Sequence, residues 1–294
     1  MIERRQFLIG AGGATLLATA PGLAAPRADF GGKRLGDSVA ALERRSGGRL
    51  GVAVVDTGTR RTFSYRGDER FPLCSTFKFL LAADLLARAE RGAIDLEKRL
   101  PIRATHLGNS DFVKSRVGRD ASLSELAHAI IEISDNDAAN LLMAETGGPA
   151  AVTRFARAIG DPVTRVDRME PVSDAPSDVS DTTSPAAMAA DFERLLLGGV
   201  LRPASRATLT GWLLHSKTGP GRLRAGLPAA WRVAHKTGTG MHGSSNDAGV
   251  VWRPRGAPLI VAVYLTGSNL DDRGRDRVVA GVARTVAAVS DSHL

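Results

Sequence analysis

Strand-forming residues occur at the two ends of this 294-residue chain and almost nowhere between them. Residues 49–56 are rich in β-branched side chains, Thr57-Gly58-Thr59 reads as a turn, and residues 61–65 read as the returning strand. Strands return only at 231–236, 248–252 and 259–265, the last two joined through Arg253-Pro254-Arg255-Gly256. Helical periodicity marks 35–45, stopped by Gly47-Gly48, and 272–289. From Phe71 to about Ser216 the period is helical almost throughout. The simplest assembly is an α/β (α+β) fold: an antiparallel five-stranded sheet, terminal helices on one face, and an all-helical domain inserted between its strands. The expected division is a discontinuous α/β domain over 30–66 and 218–294 and a helical domain over 67–217, with a site in the cleft between them.

Within the insert, an apolar run follows Cys74-Ser75-Thr76-Phe77-Lys78 and ends at Gly92. Ser122-Leu123-Ser124-Glu125 is a capping box opening a helix to about Ile133. Further helices are expected over 137–145, 149–159, 185–197 and 204–215. Residues 161–184 are polar, contain proline and lack a period; a loop of this length in a compact domain is often functional.

The net charge of +8 is spread over every segment and aromatics are only 5%, which disfavours nucleic acid as a partner. Cys74 is the only cysteine, so no intramolecular disulfide can form; a thiol nucleophile there is a weak rival to Ser75. The six histidines show no ligand-type spacing, so no metal and no cofactor are expected. Residues 1–25 read as a signal peptide: paired Arg4-Arg5, then Phe7-Leu8, a Gly-rich apolar run and small residues around Ala24-Ala25. The arginine pair is of the twin-arginine type, which implies export of a folded protein to the periplasm or medium. No later segment is apolar enough to span a membrane, and a monomer is expected.

Four stretches carry chemistry. Ser75 and Lys78, three apart on a helical turn, are within mutual reach, and an amine that can lose its proton activates a hydroxyl. Ser-x-x-Lys is common, and most examples are solvated helix turns. Ser134-Asp135-Asn136 offers a second hydroxyl and a carboxamide, and it can equally cap the next helix. Lys236-Thr237-Gly238-Thr239-Gly240, at a strand end, can hold a substrate carboxylate, with glycines allowing close approach. Lys217-Thr218-Gly219 repeats the tripeptide but has no strand before it. Arg168-Met169-Glu170-Pro171 places a carboxylate in the long loop, where it can orient a water or simply face solvent.

Taken in order, Ser-x-x-Lys, Ser-Asp-Asn, the loop Glu and Lys-Thr-Gly resemble the class A serine β-lactamases over nearly the whole chain after the signal. The flanking Ala138-Ala139-Asn140-Leu141-Leu142, Thr164-Arg165-Val166-Asp167-Arg168 and Asp181-Thr182-Thr183-Ser184-Pro185 are similar to that family as well. The resemblance implies a β-lactam substrate and resistance to such antibiotics. It implies that Ser75 attacks the strained amide, with Lys78, or Glu170 through a water, as acylation base. Ser134 would relay the proton to the ring nitrogen, and Asn136 would hold the side-chain amide. Lys236, Thr237, Gly238 and Thr239 would hold the substrate carboxylate, and Glu170 would activate the deacylating water. It further implies an Arg168–Asp181 ion pair and a cis Glu170–Pro171 bond. The chain departs from the pattern in a slightly shorter loop, in Asp174 where an asparagine often helps hold the water, and in Asn109 at the cleft rim. Ser245 stands where many members have arginine, with Arg222 able to supply that cation. A penicillin-binding D,D-peptidase and a non-catalytic β-lactam sensor are the rivals; the Glu170 loop disfavours the first.

Overall fold

The computed structural model describes residues 29–106, 108, 110–175 and 178–290, so the signal peptide expected over 1–25 and Asn109 lie outside the described residues. The chain opens with α1 (Gly32–Ser46), stopped by Gly47 at φ 65°, and continues into the hairpin β1 (Arg49–Asp56) and β2 (Thr62–Tyr65). Then come β3 (Phe71–Pro72), a single 3-10 turn at Cys74–Thr76, and α2 (Phe77–Glu90). Residues 77–87 of α2 are all buried. A helix apolar around its whole circumference belongs at the centre of a helical assembly, and this one does.

Around it lie β4 (Arg99–Pro101), α3 (Asp111–Lys114), β5 (Asp120–Ser122), α4 (Leu123–Glu132), α5 (Asn136–Thr146) and α6 (Pro149–Ala158). The capping box at Ser122 is formed on both sides, and Pro149 takes the first turn of α6, where its missing N–H costs nothing. After the long loop come β6 (Thr182–Thr183), α7 (Pro185–Phe192), a π-helical continuation over Glu193–Leu197, α8 (Pro203–Leu214) and α9 (Leu223–Gly226). The chain closes with β7 (Arg232–Thr239), β8 (Ser245–Trp252), β9 (Leu259–Thr266) and α10 (Asp272–Ser290).

The five long strands form one antiparallel sheet in the order β2-β1-β9-β8-β7. β9 is central and buried at all eight positions. Its period of two divides it between two cores. Val261, Val263 and Leu265 pack with α1 and α10, while Ile260, Ala262 and Tyr264 face α7 and the helices around α2.

Three expectations need correction. β7 spans Arg232–Thr239, not 231–236, so Lys236-Thr237-Gly238-Thr239 forms its final half, and β8 starts at Ser245, not Ala248. Those extensions are polar and are held by backbone pairing such as Lys236 with Ala248 and Thr239 with Ser245, so hydrophobic alternation does not mark them. The ribbons β3–β6 and β4–β5 are too short to have a period. The helix expected over 185–197 changes its hydrogen-bond register after Phe192.

Candidate active site

Ser75 sits in the short turn before α2, and three anchors fix that turn. Thr76 Oγ1 donates to Leu73 O at 2.7 Å, and Tyr264 Oη donates to Thr76 Oγ1 at 3.0 Å. The Asn246 amide donates to Pro72 O at 2.8 Å and to Leu73 O at 3.2 Å. Cys74 takes a left-handed φ of 45°, unusual for a residue with a Cβ, and turns the backbone so that Ser75 faces the cleft. Burial pushes the Cys74 thiol up to about 12, so it stays protonated; this removes the thiol rival.

Lys78 is fully buried one turn on. Its Nζ donates to Ser75 Oγ at 3.0 Å, to Ser134 O at 2.8 Å and to Asn136 Oδ1. Glu170 Oε1 lies 2.7 Å from the same nitrogen, and Ser75 Oγ is 3.4 Å from that oxygen. Burial pushes the Lys78 ammonium below its ordinary value, against the pull of Glu170.

Ser134 links α4 to α5 at a left-handed φ of 63°. Asp135 holds this turn: Oδ1 accepts from Ala138 N–H at 2.8 Å, capping α5, and Oδ2 accepts from Phe112 N–H at 3.0 Å. Capping and function thus coexist in one tripeptide. Lys236, also fully buried, reaches across from β7 and donates to Ser134 Oγ at 2.9 Å. Burial and then the nearby Lys78 charge push Lys236 well below its ordinary value, with Glu170 and Asp247 opposing.

Glu170 precedes a cis bond to Pro171. Asn140 grips its backbone from α5, accepting from Glu170 N–H at 2.7 Å and donating to Glu170 O at 3.1 Å. Val172 N–H donates to Glu170 Oε2 at 3.0 Å, aiming the carboxylate. Arg168 pairs with Asp181 at 3.2 Å and with Asp178 at 2.6 Å, closing the loop on itself.

Arg222 is buried behind β7. It donates to Thr239 Oγ1 at 2.6 Å and to the carbonyls of Gly238 and Asn246, both at 2.9 Å, while Asp276 accepts from its Nε at 2.7 Å. Its charge therefore stands beside the Lys236-Thr237-Gly238-Thr239 edge. Gly238 lies against the Ser75 turn: a Cβ there would fall 2.8 Å from Leu73 O. Thr237 Oγ1 donates to Thr218 Oγ1 at 2.6 Å, which makes the Lys217-Thr218-Gly219 turn a neighbour of the strand and not a second site.

The structure thus brings Ser75, Lys78, Ser134, Asn136, Glu170 and Lys236 into one hydrogen-bonded group, with Thr237, Gly238, Thr239 and Arg222 beside it. Asp174 is directed away: its carboxylate oxygens engage His242. Sequence reasoning gave no role to Asn140, Asn246, Asp276 or His242, whose partners lie far off in the chain. Among the described residues no cluster of three or more His, Cys, Asp or Glu side chains could hold a metal ion, and no helix is long and apolar enough to cross a membrane.

A buried lysine beside a serine at the head of a helix, a second serine and a second lysine across a cleft define a serine acyl-transfer site of the penicillin-recognising type. Residues 34–289 match the profile of the "Beta-lactamase enzyme family". The chain is 43% identical to a β-lactamase of Streptomyces albus G, covering 97% of this chain and 96% of that one. It is 44% identical to β-lactamase L2 of Stenotrophomonas maltophilia, covering 97% and 98%. A solved structure of a class A β-lactamase, the last common ancestor of Gram-negative bacteria, superposes with a TM-score of 0.85 at 57% identity, covering 86% of this chain and 98% of that one. The chain belongs to the class A β-lactamase family.

Proposed function

We propose that the protein hydrolyses the amide of β-lactam antibiotics through an acyl-enzyme on Ser75, and so confers resistance to them. The observation that carries this is the chain Ser75–Lys78–Glu170, with Ser134 joining it to Lys236.

The Lys78–Glu170 contact lets one proton reside on either partner. With the proton on Glu170, neutral Lys78 takes the Ser75 hydroxyl proton as Oγ bonds to the lactam carbon. Lys78 then passes that proton through Ser134 to the lactam nitrogen, and the C–N bond breaks. Backbone N–H groups of Ser75 and Thr239 stabilise the oxyanion, each worth about 3 kcal/mol. Asn136 holds the acyl side-chain amide. Lys236, Thr237, Gly238 and Thr239 hold the carboxylate, with Arg222 adding its field from behind. Glu170, ionised again once its proton returns to Lys78, removes a proton from water; the hydroxide attacks the ester and Ser75 Oγ leaves with a proton from Lys78.

The helices between β2 and β7 support dividing the chain into 30–66 plus 218–294 and 67–217. Arg4-Arg5 and the apolar run that follows support export by the twin-arginine route to the periplasm or medium. Steady colour release from a chromogenic cephalosporin, lost in Ser75→Ala, is the expected result. One-equivalent acylation without turnover would point to a D,D-peptidase or sensor. Arg4→Lys with Arg5→Lys should stop export of active protein.

A further inference from the structure

The long loop is fastened to the helices many times over. Asn140 of α5 grips Glu170, Thr153 of α6 donates to Val166 O and accepts from Val166 N–H, and Arg157 of α6 donates to Asp161 O and Thr164 O. Asp181, accepting from the N–H groups of Asp167, Arg168 and Ser173, ties the loop to itself. Toward the β7–β8 hairpin, among the described residues, its side-chain fastening is Asp174. Asp174 Oδ2 accepts from His242 N–H at 2.8 Å, and Oδ1 lies 2.8 Å from the His242 ring Nδ1. Although burial opposes it, the His242 contacts hold the Asp174 carboxyl below its ordinary range, so the carboxylate accepts both bonds. The loop lies so close to the hairpin that a Cβ on Gly240 would fall 2.0 Å from Asp174 Oδ2. The His242 ring is about half exposed, with a side-chain accessibility of 54%, so it forms no part of the core.

We propose that His242 is a positioning residue for Glu170: by fixing Asp174 to the hairpin it sets the water-activating carboxylate against the acyl-enzyme. This rests on the reading of Glu170 as the base for deacylation. The path is short. Asp174 stands two residues from Val172, whose N–H donates to Glu170 Oε2 at 3.0 Å. Apart from Glu170 itself, which takes up the Lys78 proton, the acylating groups do not ride on the loop, and burial by itself pushes Lys78 toward the neutral form. Ser75 and Lys78 belong to the head of α2, Ser134 to the α4–α5 turn and Lys236 to β7. Freeing the loop from the hairpin therefore displaces the deacylation base and leaves the nucleophile, its buried lysine and the Ser134 relay in place.

The test is single-turnover kinetics of the full protein with a chromogenic cephalosporin, timing acylation and ester hydrolysis separately. His242→Ala should slow hydrolysis about tenfold, the scale of a sub-ångström misplacement, with acylation within about twofold of the parent. His242→Asn puts an amide N–H close to the position of ring Nδ1 and should restore most of the lost rate. Asp174→Ala combined with His242→Ala should add little to either alone, as expected for one shared contact. Unchanged hydrolysis in His242→Ala, equal slowing of both steps, or no rescue by asparagine would overturn the proposal. Failure of the parent to acylate would overturn it together with the hydrolase reading.

Discussion

Two lysines meet at Ser134 from opposite sides of the cleft, Lys236 at 2.9 Å from its hydroxyl and Lys78 at 2.8 Å from its carbonyl and 3.5 Å from the hydroxyl, and their surroundings differ in one respect. Lys78 comes from a helix and Lys236 from a strand; both are fully buried, and burial pushes both toward the neutral form. Lys78 has a carboxylate 2.7 Å away. Lys236 donates to Ser134 Oγ and Thr237 O and makes no ion pair among the described residues. A lysine with its own carboxylate can give up and regain a proton inside the protein. A lysine without one is completed only when an anion arrives. The helix side of the cleft is thus equipped for proton transfer and the strand side for recognition.

The contrast breaks most sharply if the lysines are removed singly. Lys78→Met should lower the acylation rate by about 10³-fold, the range of a lost general base, with less change in affinity. Stopped-flow acylation checks this, and a pure affinity loss would erase the distinction. Lys236→Ala should lower kcat/KM by about 10²-fold, mostly through KM, as when one partner of a buried charge pair is truncated. A β-lactam methyl ester, lacking the anion, should discriminate little between parent and Lys236→Ala. Equal discrimination against acid and ester would contradict the assignment.

A smaller effect sharpens the same comparison with the sign of charge reversed. Asp191 on α7 is fully buried, and its Oδ2 has no hydrogen-bond acceptor role filled. Burial, then the neighbouring Asp161 charge, pushes its carboxyl well above the ordinary value, with Arg194 opposing. The folded protein therefore holds a proton there that the unfolded chain releases above about pH 4. Stability from this group is fully present below that pH and is lost as pH rises toward the folded value. Asp191→Asn needs no proton and should raise Tm by about 2–4 °C at pH 7, with no gain near pH 4. Melting curves across that range check it; a gain independent of pH would rule out ionisation as the cause.

The reactive groups were legible in the sequence because they sit in compact runs whose internal spacing is itself the chemistry. Ser75 and Lys78 share one turn, and Ser134, Asp135 and Asn136 are contiguous. The apolar strands and the Ser122 capping box were legible because burial and capping impose periods and pairs. The groups that hold the site in place left no such mark. Asp174 finds His242 68 residues away, and Arg222 finds Asp276 54 residues away. Only the folded sheet makes them neighbours. The polar half of β7 was hidden for a related reason: its side chains serve the cleft, and its strand character comes from pairing with β8.

The most direct test of the central claim is the mass of the intact protein seconds after mixing with a β-lactam, for the parent and for Glu170→Ala. The account predicts that Glu170→Ala carries one persistent adduct of the full substrate mass on Ser75, while the parent returns to its unmodified mass with hydrolysed product in solution. A persistent adduct on both proteins, or rapid release from both, would contradict the division of labour between the loop carboxylate and the two lysines.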